Sequence, residues 1–150
     1  MKKCTVILMA LLLSFAMLFC FACNDSPDNS NGITATLVIS DGSKIVKVVT
    51  DDTTADHVDK WMIEMNEEKK ISLTYTDSEY GMNISTLEGI EVNGFSTYFA
   101  FYADDEDNTN DAWGSYSYEG KRYYSCAFGQ RDMPLKDGCT YILVYTVYNG

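Results

Sequence analysis

The distribution of hydrophobic residues divides the chain into three parts. Residues 6–22 form an apolar run whose main polar interruption is Ser14, and residues 24–32 are polar and rich in turn-forming residues. The remainder alternates between hydrophobic and polar positions and is long enough for one globular domain. The predicted parts are a leader at residues 1–22, a flexible tether at 23–32 and a domain at 33–150.

Short β-branched or alternating segments dominate the domain. Asp41-Gly42 predicts a hairpin turn between the first two of them. Residues 97–103 are apolar on both faces, as expected of a central strand. The segments predicted as strands are residues 33–40, 44–50, 71–75, 80–87, 97–103, 114–118, 122–128 and 141–148.

One segment has helical spacing instead. Val58, Trp61, Met62 and Met65 recur on one face, and the preceding Thr53-Thr54-Ala55-Asp56 resembles a capping box. We predict a helix over residues 54–68 that packs this apolar stripe on the sheet. One helix among short, mostly antiparallel strands indicates an α+β domain.

The start of the chain has the features of a bacterial lipoprotein signal. Lys2 and Lys3 precede the apolar run, and Ala22 precedes Cys23, whose sulfur would accept the lipid. Cys20 occupies a position where such signals usually carry Leu. An uncleaved membrane anchor and cleavage without lipidation remain alternatives. The prediction is a lipoprotein whose domain lies on the extracytoplasmic side of a bacterial membrane.

The chain is strongly acidic. It carries 22 acidic and 11 basic residues, for a net charge of −11. Such a surface repels phosphate groups, which argues against nucleic acid as a partner. The charge itself is sufficiently explained by solubility.

Two cysteines fall within the domain, Cys126 and Cys139. They flank a turn-like stretch between two predicted strands, and exported proteins retain disulfides. If those two strands pair, the sulfur atoms can meet, and the bond could add about 3 kcal/mol. The alternative is that both are small buried hydrophobic residues.

The densest cluster of charge is the segment at residues 104–111. Several carboxylates on one loop could hold calcium, but the spacing does not match an EF-hand, since Asn110 stands where glycine is required. The alternative is a solvated connection.

No catalytic motif is present. His57 is the one histidine, which excludes a His-rich zinc site, and the sequence has no G-x-S-x-G, P-loop or H-E-x-x-H pattern. Pairs of carboxylates are unavoidable with 22 acids and carry little information. We predict no catalytic residues, no metal site and no enzymatic activity.

Tyrosine is the most suggestive residue type. All 11 tyrosines lie between Tyr75 and Tyr148. Tyr98 and Tyr102 share one strand face, Tyr116 and Tyr118 another, and Tyr124 is a candidate to join them. These rings are predicted to contact a sugar, a peptide or a planar cofactor. The alternative is that they serve the sheet, which tyrosine suits.

The order of motifs across residues 33–148 resembles the transcobalamin C-terminal-like domain of bacterial exported lipoproteins. The resemblance departs from the family after the aromatic strand, where Ala103-Asp104-Asp105 replaces Val-Asn-Gly. Phe99 stands for Trp, and Cys139 for Asp. The motifs are the opening strand pair, the helix after Thr53-Thr54, residues 80–90, the aromatic strand Tyr98–Tyr102 and the turn at residues 135–141.

The resemblance implies a β-grasp-like domain used for binding. The leading hypothesis is a surface-anchored, non-enzymatic module for ligand binding or adhesion, with a small molecule, a glycan or a protein as its partner. The second is capture of cobalamin or a related cofactor together with a partner chain, which would supply the half of the enclosure that a large helical domain provides in transcobalamin itself. A hydrolase is the third.

Overall fold

The computed structural model describes residues 32–148. The predicted leader, Cys23 and the tether up to residue 31 lie outside these residues. Within residues 32–148, no helix has the length and apolar character needed to cross a membrane.

The described part of the chain contains nine β-strands and one α-helix. In chain order they are β1 (Ile33–Ser40), β2 (Ile45–Thr53), α1 (Val58–Glu67), β3 (Leu73–Ser78), β4 (Gly81–Leu87), β5 (Ile90–Glu91), β6 (Thr97–Ala103), β7 (Thr109–Tyr118), β8 (Lys121–Cys126) and β9 (Thr140–Val147).

The strands form two sheets. A six-stranded sheet has the order β2-β1-β9-β6-β8-β7, and a three-stranded sheet has the order β3-β4-β5. All pairs are antiparallel except β1 and β9, which run parallel. The prediction of an α+β fold with a mostly antiparallel sheet is confirmed at this level, whereas the β-grasp-like arrangement stays a prediction.

The β1–β2 hairpin has the turn that Asp41-Gly42 predicted. The Asp41 carboxylate accepts hydrogen bonds from the amides of Ser43 (2.8 Å) and Lys44 (2.9 Å), which lower the pKa of that carboxyl group. Gly42 has φ 90°, and a Cβ there would lie 2.7 Å from the Tyr145 carbonyl oxygen. Conformation and close approach both require glycine at this position.

Helix α1 buries the predicted stripe. Val58, Trp61, Met62 and Met65 are all inaccessible to solvent. The predicted start at residue 54 is wrong, because the helix begins at Val58 and His57 before it is extended and forms a β-bridge with Pro134. The Thr53 hydroxyl accepts the Ala55 amide and donates to Glu64, so it orders the chain before the helix without capping it.

The β7–β8 hairpin is longer than predicted and begins inside the acidic segment. Residues 109–111, predicted as loop, belong to β7. Its pairing with β8 is interrupted by an excursion between Asn110 and Ser115 that carries the exposed Trp113. The hairpin pairs with β6 through only two positions, Tyr102 with Ser125 and Ala103 with Tyr124.

Candidate functional site

The four predicted tyrosines differ in their surroundings. Tyr98 is exposed, with 46% of its surface accessible, whereas Tyr102, Tyr116 and Tyr118 are half-buried. The buried tyrosine of the hairpin is Tyr123, which the sequence analysis did not single out. The tyrosines therefore do not form one flat exposed platform.

Three of them hold the hairpin against the sheet. The rings of Tyr102 and Tyr116 stack with centroids 5.9 Å apart, and Tyr118 packs on Tyr123 at 6.2 Å. The Tyr116 hydroxyl lies 3.4 Å from Ser40 Oγ on β1. Because β1 and β7 are far apart in the strand order, the hairpin must fold across the face of the sheet. Burial, followed by the nearby phenols of Tyr98 and Tyr116, raises the pKa of Tyr102 and keeps its ring neutral.

Tyr98 is instead one of the residues that line a groove of about 420 Å³. The groove lies between β4 and the first residues of β6, and the loop at residues 92–95 closes one side. Its lining residues are Met82, Asn83, Ile84, Val92, Gly94, Phe95, Thr97, Tyr98, Phe99 and Gln130.

The rim and the walls of this groove have different character. Phe95 is fully exposed and Tyr98 is nearly half exposed, so two of the lining residues are aromatic and accessible to solvent. Met82 and Phe99 are buried or partly buried within it. None of the lining residues is charged. Such a groove can hold an uncharged surface against aromatic rings, with amides and hydroxyls available for hydrogen bonds.

Apart from Tyr98, the residues that line this groove were not predicted as site residues from the sequence. Phe95, Asn83 and Gln130 come from three separate segments, and none belongs to a periodic pattern that marks a site. One local signal was available: the turn-forming pair Asn93-Gly94 precedes Phe95, which would place that ring on an exposed turn.

The acidic segment is organised by lysines. Lys136 Nζ binds Asp105 Oδ1 at 2.6 Å and Asp107 Oδ2 at 2.8 Å, and Lys121 binds Asp104 at 2.6 Å. Within residues 32–148, no group of three or more His, Cys, Asp or Glu is placed to hold a metal ion. The ammonium groups thus occupy the carboxylate oxygens that a calcium ion would use.

Asp105 is the buried member of this cluster, with 3% of its surface accessible. Burial by itself raises the pKa of Asp105. Hydrogen bonds from Lys136, from Asn108 Nδ2 and from the Asp107 amide outweigh that effect, so the net pKa is lowered. The segment is a charge-paired turn that ties β6 to the loop before β9.

Cys126 and Cys139 are free thiols. Their predicted pairing assumed that the strands beside them are neighbours, and this premise is wrong because β6 lies between β8 and β9. Both side chains are partly buried against the core cluster that contains the buried residues of α1. Burial raises the pKa of the Cys126 thiol and, together with Asp104 and Asp105, raises that of Cys139 to about 11.

His57 has no catalytic surroundings in the described part of the chain. Its Nδ1 lies 2.9 Å from Asp56 Oδ1, and Lys60 binds the same carboxylate at 2.7 Å. The side chains of both Asp56 and Lys60 are largely exposed. This is a surface ion pair at the start of α1.

Comparison with known proteins finds similar folds at low sequence identity. No family model and no curated protein matches the chain. A proposed metal binding protein from Ruminococcus gnavus ATCC 29149 matches with a TM-score of 0.51 and 17% identity, over 79% of this chain and 98% of that one. Haptocorrin in complex with Cbi matches with a TM-score of 0.53 and 12% identity, over 79% of this chain and 26% of haptocorrin.

These likenesses establish a distant fold relation. Haptocorrin is transcobalamin-like, which agrees with the resemblance drawn from the sequence at the level of the fold. Membership of the transcobalamin C-terminal-like family stays a prediction.

Proposed function

We propose that this protein is a binding module that holds an uncharged ligand with a flat apolar face in the groove beside Phe95 and Tyr98. One observation carries the proposal: Phe95 is fully exposed and Tyr98 nearly half exposed at the edge of a groove with no charged lining residue. Solvent-exposed rings contribute little to folding, whereas ring stacking on a ligand would bury them.

The proposal includes a non-enzymatic role at a membrane surface. The groove is lined by apolar side chains, hydroxyls and amides, with no acid, base or histidine among its residues. General acid–base chemistry requires such groups close to the substrate. The lipoprotein signal, with lipid on Cys23, would anchor the module outside the cytoplasm.

Capture of cobalamin or a related cofactor with a partner chain is the second candidate. It is favoured by the likeness to the structure of haptocorrin in complex with Cbi. That match covers only 26% of haptocorrin, so a partner chain would have to supply what the rest of haptocorrin contributes. Under this hypothesis the same groove would contact the cofactor.

The binding proposal is tested by ligand-induced stabilisation of the full chain in a detergent that has no sugar headgroup. The probes are corrinoids, oligosaccharides, short peptides and calcium. A ligand that binds only the folded state must raise the melting temperature. We expect a stabilising ligand whose effect is lost in Phe95→Ala and Tyr98→Ala.

Trp113→Ala is the matched control, since Trp113 is also a solvent-exposed aromatic residue, lies on the β7–β8 hairpin and does not line the groove. Stabilisation that persists in both groove variants would contradict the assignment of the site. Absence of any stabilising probe would contradict the proposed class of ligand.

The anchor is tested separately by metabolic labelling with a palmitate analogue in the native bacterium. We expect label in the wild type and none in Cys23→Ser, with the unlabelled chain released from the membrane fraction. Equal labelling of both proteins would contradict lipidation at Cys23.

A further inference from the structure

We infer that the ligand of the groove is a neutral carbohydrate. This inference rests on the proposed function of the same groove and narrows it to one chemical class. Its basis is the combination of an uncharged lining, exposed aromatic rings and amide side chains, each of which excludes a different alternative.

The absence of charge is the first step. The chain carries 33 charged residues, 22 acidic and 11 basic, yet none of them lines the groove. A ligand recognised through phosphate, carboxylate or ammonium groups requires an opposite charge or a set of charged hydrogen-bond partners. The strong negative charge of the chain as a whole further disfavours anions. The groove is therefore suited to a neutral molecule.

The aromatic residues supply the second step. Phe95 and Tyr98 are three positions apart, both line the groove, and both expose their rings. A pyranose ring presents a face of C–H groups that packs flat on an aromatic ring, while its hydroxyls point outward from the edge. Since both rings are already accessible, this stacking requires no opening of the core.

The amides supply the third step. Gln130 takes part in the fold through its backbone carbonyl, which accepts the Asp59 amide at 3.0 Å, and within residues 32–148 its side chain makes no hydrogen bond. Asn83 donates from Nδ2 to Ser78 Oγ at 3.1 Å and leaves its Oδ1 available. An amide offers donors and an acceptor side by side, which matches adjacent sugar hydroxyls. An apolar ligand would cover these groups without satisfying them, at a cost in affinity.

The experiment compares neutral oligosaccharides with matched acidic and amino-sugar versions on a glycan array, using the full chain in detergent without a sugar headgroup. Dissociation constants of the bound sugars are then measured by calorimetry. We expect neutral sugars to bind, and Phe95→Ala and Gln130→Met each to weaken them by about tenfold.

Gln130→Met separates this inference from the wider proposal. Methionine keeps the length of the side chain and removes the amide, so a hydroxyl-bearing ligand loses affinity while a purely apolar planar ligand does not. Trp113→Ala again serves as the control and should leave binding unchanged. A thermal melt of each variant confirms that the fold is intact.

Three results would overturn the inference. Preference for acidic or amino sugars would contradict a neutral ligand. Binding of a corrinoid or another planar probe that depends on Phe95, with no sugar bound, would leave the proposed function standing and reject the carbohydrate. No probe of any class whose binding depends on Phe95 would reject both.

Discussion

The two faces of the six-stranded sheet are covered in different ways. On one face, α1 and the three-stranded sheet enclose a continuous core in which Trp61, Leu37 and Leu143 are fully inaccessible. On the other face, the sheet's own residues Val38 and Ile142 are buried beneath the tyrosines of the β7–β8 hairpin. The first face is covered by a helix and a separate sheet, and the second by aromatic side chains.

The difference shows which part of the molecule can move without unfolding. Only two strand-paired positions join the hairpin to β6. Its position therefore also depends on the stacking of Tyr102 with Tyr116 and on the packing of Tyr118 and Tyr123 against the buried residues of that face. Segments with few buried contacts open first, often far below the free energy of global unfolding. We call the face covered by α1 the helix face and the face covered by the hairpin tyrosines the tyrosine face. We expect packing on the helix face to determine the free energy of global unfolding. We expect the tyrosine face to open locally at a lower free energy.

The largest expected effect is from Trp61→Ala on the helix face. Trp61 is fully buried and packs edge-on against Tyr141 at 6.2 Å. Removing the indole should lower the free energy of unfolding by about 3–5 kcal/mol through lost burial and the cavity left behind. Urea unfolding followed by circular dichroism measures this.

Trp61→Phe is the matched control. In the described part of the chain the Trp61 Nε1 has no hydrogen-bond partner, so phenylalanine removes an unsatisfied donor while it keeps an aromatic ring. The loss should be clearly smaller than with alanine. Equal losses would show that volume is not what Trp61 contributes.

Tyr102→Ala tests the opposite face. Its ring is half-buried against Tyr116, and its removal should cost about 2 kcal/mol. Hydrogen exchange should speed up in β7 and β8 while the amides of α1 keep their protection. If exchange rises equally everywhere, the two faces unfold as one cooperative unit, which would contradict separate opening of the hairpin. Trp113→Ala should change the free energy of unfolding by no more than about 0.5 kcal/mol and should leave exchange in β7 and β8 unchanged.

Acid should weaken the charge-paired turn that ties β6 to the loop before β9. The pKa of Asp105 is lowered in the folded state, so its contribution is complete above the ordinary carboxyl pKa of 3.8 and is lost as the pH falls below it. Asp105→Asn should cost about 1 kcal/mol near neutral pH and flatten the decline of unfolding free energy below about pH 4.

Asp107→Asn is the comparison for that prediction, because Asp107 binds the same Lys136 but has an exposed side chain. It should leave both the stability and its acid dependence nearly unchanged. An equal effect of the two substitutions would show that burial of Asp105 is unimportant.

The smallest effect concerns the thiols on the helix face. Since the pKa of Cys139 is raised to about 11 and that of Cys126 is raised further, little thiolate exists near neutral pH. We expect both to react slowly with a disulfide reagent in the folded protein and completely in denaturant. Failure of both to react after denaturation without reductant would demonstrate a disulfide.

Local pattern predicted the elements better than it predicted the site. Residues 97–103 coincide with β6 because an unbroken run of aromatic and small apolar residues is typical of a central strand. The start of α1 was misplaced because Thr53 and Asp56 suit a cap, while the β-bridge of His57 with Pro134 keeps His57 extended and delays the helix to Val58. Strand β5 has two residues and leaves no periodic signal.

The groove could not be predicted for a different reason. Asn83, Phe95 and Gln130 are brought together by the packing of the smaller sheet against β6, a relation that no periodicity encodes. Tyr98 is exposed, whereas its three companions are half-buried, and ligand binding by these tyrosines stays a prediction. Tyrosine composition alone does not distinguish these two uses.

The parallel pairing of β1 with β9 has a mechanical consequence. Thr36 lies opposite Thr140 and Ser40 opposite Val144, so the chain enters the domain at the end of the sheet opposite to Thr97 and Tyr98. A pull between Ile33 and a ligand held at the groove would load this ladder in shear. Its hydrogen bonds would have to break together rather than one after another, which is the geometry that best resists tension in a tethered molecule.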